Sequence, residues 1–115
     1  MLNEVILVGR LTADPEIKEV GKESGKVVNF TLAVPRSFKN LDGEYETDFI
    51  QCNVWNKIAE NMSEYVHKGD LIGIKGQLQT SSYEDKDGNK RYVTDVRVDK
   101  VTFLSSKKVD VKDGE

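Results

Sequence analysis

The segment from Thr47 to Trp55 alternates with a period of two, the pattern of a strand that is half-buried in a sheet. One face carries Ile50, Cys52 and Val54 and is a core face. The other carries Thr47, Phe49, Gln51, Asn53 and Trp55, polar apart from two large flat rings. A soluble domain rarely exposes such rings without a use for them. Flat rings amid polar groups suit the stacking of unpaired bases. The bland alternative is that a loop or a partner subunit covers them.

The remaining elements follow from the same kind of pattern. Val5-Ile6-Leu7-Val8 is an unbroken apolar run and reads as a first strand buried on both faces, with Gly9-Arg10 after it. Asp14-Pro15 marks a turn, and Ile17 to Val20 reads as a short continuation before a loop from Gly21 to Gly25. A second strand runs from Val27 to Val34, with Val28, Phe30, Leu32 and Val34 inward, and Pro35 ends it. Phe38 to Tyr45 is a polar loop with Asp42-Gly43 at its tip. After the third strand, Asn56 is placed to cap a helix in which Ile58, Ala59, Met62, Tyr65 and Val66 recur at helical spacing. Gly69 stops it as a C′ residue.

A fourth strand runs from about Leu71 to Ser81, with Ile72, Ile74 and Leu78 inward. Its Gly73 and Gly76 suggest a bend or a close backbone approach. Asp87-Gly88-Asn89 forms the next hairpin tip. The last strand, about Tyr92 to Leu104, has Tyr92, Thr94, Val96 and Val98 inward and then Val101 and Phe103. That change of parity around Asp99-Lys100 predicts a bulge. The expectation is one domain over residues 1–104 and a short, loose polar tail over 105–115.

Five strands with one helix between the third and fourth make an all-β fold in the order of an OB-fold, a five-stranded Greek-key barrel. Its recognition surface centres on strands two and three and the adjoining loops. Those elements carry Phe38, Phe49 and Trp55, and the hairpin with Tyr83 and Lys86 reaches over the same face. The barrel alone does not decide the ligand, since it also binds sugars and proteins.

The formal net charge of −3 argues against attraction of nucleic acid by bulk charge, although a basic stripe can exist if the acids lie elsewhere. Arg36 and Lys39 flank Phe38, Lys57 follows Trp55 by two residues, and Lys86, Lys90 and Arg91 follow Tyr83. Three of the four aromatics thus have a cation within a few residues. The single cysteine, Cys52, excludes an intramolecular disulfide and, as a buried free thiol, fits a reducing cytoplasm. No Cys/His cluster suggests a metal, and the sole histidine, His67, sits where helix capping is expected. No nucleophile–histidine pair and no Gly-rich phosphate loop is present, and Asp85 and Asp87 read as solvated turn residues. No enzyme, cofactor or metal site is expected. No apolar run approaches the ~20 residues of a membrane helix, and the N-terminus does not read as a signal peptide.

Over about its first 104 residues the chain resembles the DNA-binding domain of bacterial single-stranded DNA-binding proteins. The matching stretches are Leu7-Val8-Gly9-Arg10-Leu11-Thr12 with Asp14-Pro15-Glu16, Phe30-Thr31-Leu32-Ala33-Val34, and Asp48-Phe49-Ile50-Gln51-Cys52. Further matches are Val54-Trp55, Ala59-Glu60-Asn61, Lys68-Gly69, Gly76-Gln77-Leu78-Gln79-Thr80 and Tyr92-Val93-Thr94. Their joint order and spacing carry the resemblance. It implies sequence-tolerant binding of single-stranded DNA in replication, recombination or repair, without catalysis, by a cytoplasmic, nucleoid-associated homotetramer. The stacking positions it implies are Phe38, Phe49, Trp55 and Tyr83. The basic positions that carry over are Lys39, Lys57 and Lys68, joined by Arg10 and Arg36, whose roles are less defined, and by Lys86 in the hairpin.

The chain departs from the family pattern in several places. Gln79, Ser81 and Ser82 stand where many relatives have arginines, Glu19 stands at a usually aromatic position, and the Gly21–Gly25 loop is one residue longer. Fewer cations imply weaker binding and a shallower salt slope. Typical members continue to an acidic, phenylalanine-terminated tip that recruits replication and repair proteins, whereas this sequence stops at Asp113-Gly114-Glu115, as expected of an accessory or phage-borne member or of a chain whose tail has been removed. The competing reading is an OB-fold protein-interaction module of a replication complex, with the rings contacting protein.

Overall fold

The computed structural model describes residues 2–21 and 25–106. Its elements are β1 (Val5–Leu11), β2 (Ile17–Val20), β3 (Gly25–Lys39), β4 (Tyr45–Trp55), α1 (Asn56–Tyr65), β5 (Leu71–Glu84) and β6 (Lys90–Ser105). The sheet order is β1-β5-β6-β4-β3-β2, and a further β1–β3 pairing closes β1, β5, β6, β4 and β3 into a barrel. This is the expected OB-fold. The long β3 permits closure because one edge serves two partners: β2 pairs with residues 25–28, and β1 with Leu32 and Ala33.

The stretch from Ile17 to Val20 is therefore a strand of its own, hairpinned onto β3, rather than a continuation of β1. Ser105, expected in the tail, still belongs to β6, and residues 107–115 of that expected tail lie outside those described. Residues 22–24 of the Gly21–Gly25 loop also lie outside them.

The core is the set of inward positions of the strands plus one face of α1: Leu11, Val28, Phe30, Leu32, Cys52, Val54, Ala59, Met62, Val66, Ile72, Ile74, Val96 and Val98 are all buried. Leu78, Tyr92 and Thr94, expected inside, are exposed, and Phe103 is half-exposed. For Tyr92 and Thr94 the reason is the length of the β5–β6 hairpin, whereas Leu78 still pairs with the buried Val96 and Phe103 with the buried Ile72. The hairpin continues in register from Gly76↔Val98 to Glu84↔Lys90, and its far end runs past the barrel wall, where residues 79–84 and 90–94 are exposed. The β3–β4 hairpin does the same. Pro35 does not end β3; it pairs with Thr47, at a point where β1 no longer occupies the opposite edge and a missing N–H costs little.

The predicted bulge is present. Lys75 pairs with Lys100 and Gly76 with Val98, leaving Asp99 as the extra residue. At that point a Cβ on Gly76 would collide with the Arg97 carbonyl, so the close backbone approach expected there is real. Gly73 has only ordinary contacts and needs no such explanation.

The helix ends differ from expectation. Asn56 adopts φ 53°, and its Oδ1 accepts the Lys26 N–H at 3.1 Å, so it ties α1 to β3 instead of capping. Val66 N–H closes the helix onto Met62. Gly69, with φ 88°, sits in the turn after the helix. Asp70 N–H bonds the His67 carbonyl, and Asp70 Oδ2 accepts the His67 N–H at 2.8 Å. His67 serves this turn through its backbone. The turn is docked to the end of β1 by Leu11, which donates to the Asp70 carbonyl and accepts from Gly69.

Candidate nucleic-acid interface

The barrel wall gives the rings a common frame. On β4 the outward positions are Phe49, Gln51, Asn53 and Trp55. They pair with Ala33, Thr31, Asn29 and Val27 of β3. On the other side β4 meets β6 in a short parallel pairing, Asn53 beside Arg97. From there the period-two register runs without interruption along β6 through Asp95, Val93 and Arg91. Their β5 partners are Gln79, Ser81 and Tyr83, with Gln77 opposite Arg97. Tyr83 therefore shares a sheet face with Trp55 by strand parity. Phe49 and Tyr83 are 65% and 56% exposed, and Trp55 is partly covered.

Phe38 reaches the surface by another route. Arg36, Ser37 and Phe38 stand opposite Glu46 alone, between the pairs Pro35↔Thr47 and Lys39↔Tyr45. The bulge carries Phe38 near the tip of the β3–β4 hairpin, where it is 62% exposed beneath the Arg36 guanidinium at 6.0 Å.

Both hairpin tips are built alike. Asn40 Oδ1 accepts the backbone N–H groups of Asp42 and Glu44, and Asp85 Oδ1 accepts those of Asp87 and Asn89. Gly43 and Gly88 supply the positive φ, 79° in each. Asp85 also pairs with Arg91 at 2.9 Å. The Asn89 backbone N–H and then Arg91 hold its carboxyl below the usual range. Sequence placed the tips correctly; the side-chain clamp at the first residue of each is added by the structure.

The proposed phosphate-contacting cations divide into two groups. Arg36 is engaged: it chelates Asp48 and lies 3.8 Å from Glu46, and the Asp48 hydrogen bond raises its pKa. Arg10 donates to the Gly69 carbonyl at 2.8 Å, which fixes the turn after α1. Lys39, Lys57, Lys68 and Lys86 are exposed and have no ion pair with a described residue, although Lys39 Nζ lies 5.7 Å from the Tyr45 ring.

Arg97 was not singled out from sequence, yet its guanidinium lies 5.5 Å from the Trp55 ring centroid. The signal was its place on the outward parity of β6, which becomes useful only once β6 is known to run beside β4. Tyr45 and Tyr92, the latter with Lys90 at 5.8 Å, are further exposed rings on the two hairpins. Among the described residues, no group of three or more His, Cys, Asp or Glu side chains could hold a metal ion, and no helix is long and apolar enough to cross a membrane.

The model of the single-strand binding protein family matches residues 2–104. Single-stranded DNA-binding protein 1 of Clostridium acetobutylicum is 45% identical over 93% of this chain and 97% of its own length. Single-stranded DNA-binding protein B of Bacillus subtilis is 48% identical over 93% of this chain and 94% of its own. Single-stranded DNA-binding protein 3 of Listeria innocua is 51% identical over 93% of this chain but 66% of its own. On this evidence of fold, motif and sequence, the chain belongs to the single-strand binding protein family.

Proposed function

We propose that this protein binds single-stranded DNA, largely without regard to sequence and without catalysis, and protects it during replication, recombination or repair in the cytoplasm. The observation that carries this reading is the sharing of one sheet face by Phe49, Trp55 and Tyr83, with Phe38 exposed on the adjoining hairpin. Every base has a π face, so stacking on such rings tolerates any sequence and contributes roughly 1–3 kcal/mol per base. Lys39, Lys57, Lys68 and Lys86 neutralise phosphates along the path. Duplex DNA hides its base faces and gains only the electrostatic part, which is the source of selectivity for single strands.

The chain acts as a homo-oligomer, a tetramer by its resemblance. The structural support is the outer edge of β1. β5 pairs along one edge of Val5–Arg10, while β3 reaches only Arg10 and Leu11 on the other. Ile6 and Val8 are 71% and 49% exposed, although the run Val5–Val8 was expected to be buried on both faces. A second copy placed on this strand satisfies both the open backbone edge and the apolar side chains.

The test is binding of labelled oligo-dT and of a matched duplex by the wild type and by Phe38→Ala, Phe49→Ala, Trp55→Ala and Tyr83→Ala. The expected result is tight binding of the single strand alone, weakened in the variants. A folded wild type that ignores oligo-dT would leave the rings to a protein partner.

A further inference from the structure

Asn53 is the anomaly of the outward face. It is 7% exposed, whereas Gln51, its neighbour on the same face, is exposed. A buried amide without a partner is costly, and this one has a specific partner: its Oδ1 accepts the Nε1–H of Trp55 at 3.0 Å. Arg97 stands beside Asn53 across the β4–β6 pairing and holds its guanidinium 5.5 Å from the Trp55 ring centroid. The indole has a single N–H to donate, and here it is donated within the protein. Its edge is fixed by Asn53 and its π system is engaged by a cation.

We infer that Asn53 and Arg97 are positioning residues that hold the Trp55 ring in one orientation before DNA arrives. This rests on the single-stranded DNA reading above and goes beyond it by assigning two residues to the preparation of one stacking ring. An untethered surface ring loses rotamer freedom when a base stacks on it; a ring already held does not lose it again. The effect of releasing it is a loss of affinity of roughly two- to tenfold, the equivalent of ordering one side chain.

The test uses the single indole N–H resonance that one tryptophan provides, in the full chain. Free wild-type protein should show an indole N–H that exchanges slowly with solvent. Asn53→Val should shift that signal, speed its exchange and weaken oligo-dT binding by the stated factor, with the backbone amide spectrum otherwise retained. Asn53→Asp, which keeps the acceptor, should keep the protected signal. Arg97→Gln should quicken the ring motion read by Trp55 fluorescence anisotropy decay and also weaken binding. A wild-type indole N–H that exchanges as fast as that of free tryptophan would overturn the inference without any variant. Wild-type binding with an unaffected Asn53→Val overturns this inference alone, whereas a wild type that does not bind oligo-dT overturns the DNA reading and this inference with it.

Discussion

Arg36 chelates Asp48 across the β3–β4 hairpin, its Nε and Nη2 lying 3.0–3.3 Å from the two carboxylate oxygens. The side chain expected to meet phosphate therefore carries a charge that is already answered. The hydrogen bond from Arg36 also holds the Asp48 carboxyl below the usual carboxylate range.

Asp48→Asn should release that charge for DNA. The expected result is tighter oligo-dT binding and a log–log salt slope steeper by roughly 0.7, the increment of one added phosphate contact on a single strand. Salt titrations of wild type and variant check this, and identical slopes would show that Arg36 does not reach phosphate even when freed.

Two glycines should respond very differently to one added methyl group. Gly76→Ala drives a Cβ into the Arg97 backbone at the β5–β6 bulge, and neither strand can give way without breaking the barrel. Gly43→Ala meets nothing within 4 Å and bears only the strain of its positive φ, about 1–2 kcal/mol. Urea denaturation should place Gly76→Ala far below Gly43→Ala in midpoint. Equal midpoints would contradict the bulge geometry.

Much of this architecture was legible in the sequence. The period-two run at 47–55, the Asp42-Gly43 and Asp87-Gly88 tips and the parity change at Asp99 each have a local physical cause, and each led to the right element. The misplacements come from tertiary context. Tyr92 continues an inward parity correctly, but the hairpin has left the barrel by then, and Tyr92 is exposed. Ile6 and Val8 lie on a strand that β5 pairs along one edge but that β3 reaches only at Arg10 and Leu11 on the other. In the candidate site, the rings could be named from their incongruity on polar faces. The burial of Asn53 and the proximity of Arg97 could not, because both depend on a parallel β4–β6 contact that joins residues far apart in sequence.

Cys52 should be chemically silent in the folded protein. Burial, and secondarily the charge of Asp95, raises its thiol from an ordinary 9.0 to about 12. A thiol-reactive disulfide reagent at pH 8 should label it only after denaturant is added; rapid labelling of native protein would contradict its place in the core. The unfolded chain ionises this thiol near 9 while the folded chain resists until about 12, so its contribution is intact below pH 9 and stability falls as pH rises through that window. Replacing it in a Cys52→Ala variant should remove that component of the alkaline slope.

The open edge of β1 predicts association. Multi-angle light scattering of the wild type should report a multiple of 13.0 kDa, and Ile6→Glu with Val8→Glu, both on the exposed side of β1, should shift the mass toward a monomer. A wild type that runs as a monomer at all accessible concentrations would reject the oligomer.

The central claim, that bases stack on the outward face of β4, is tested most directly through the sole tryptophan. Trp55 fluorescence should be titrated with oligo-dT and with a matched duplex at low and high salt. Strong quenching by the single strand, little by the duplex, and weakening with added salt are expected. A folded protein whose Trp55 emission is unchanged by saturating oligo-dT would contradict it.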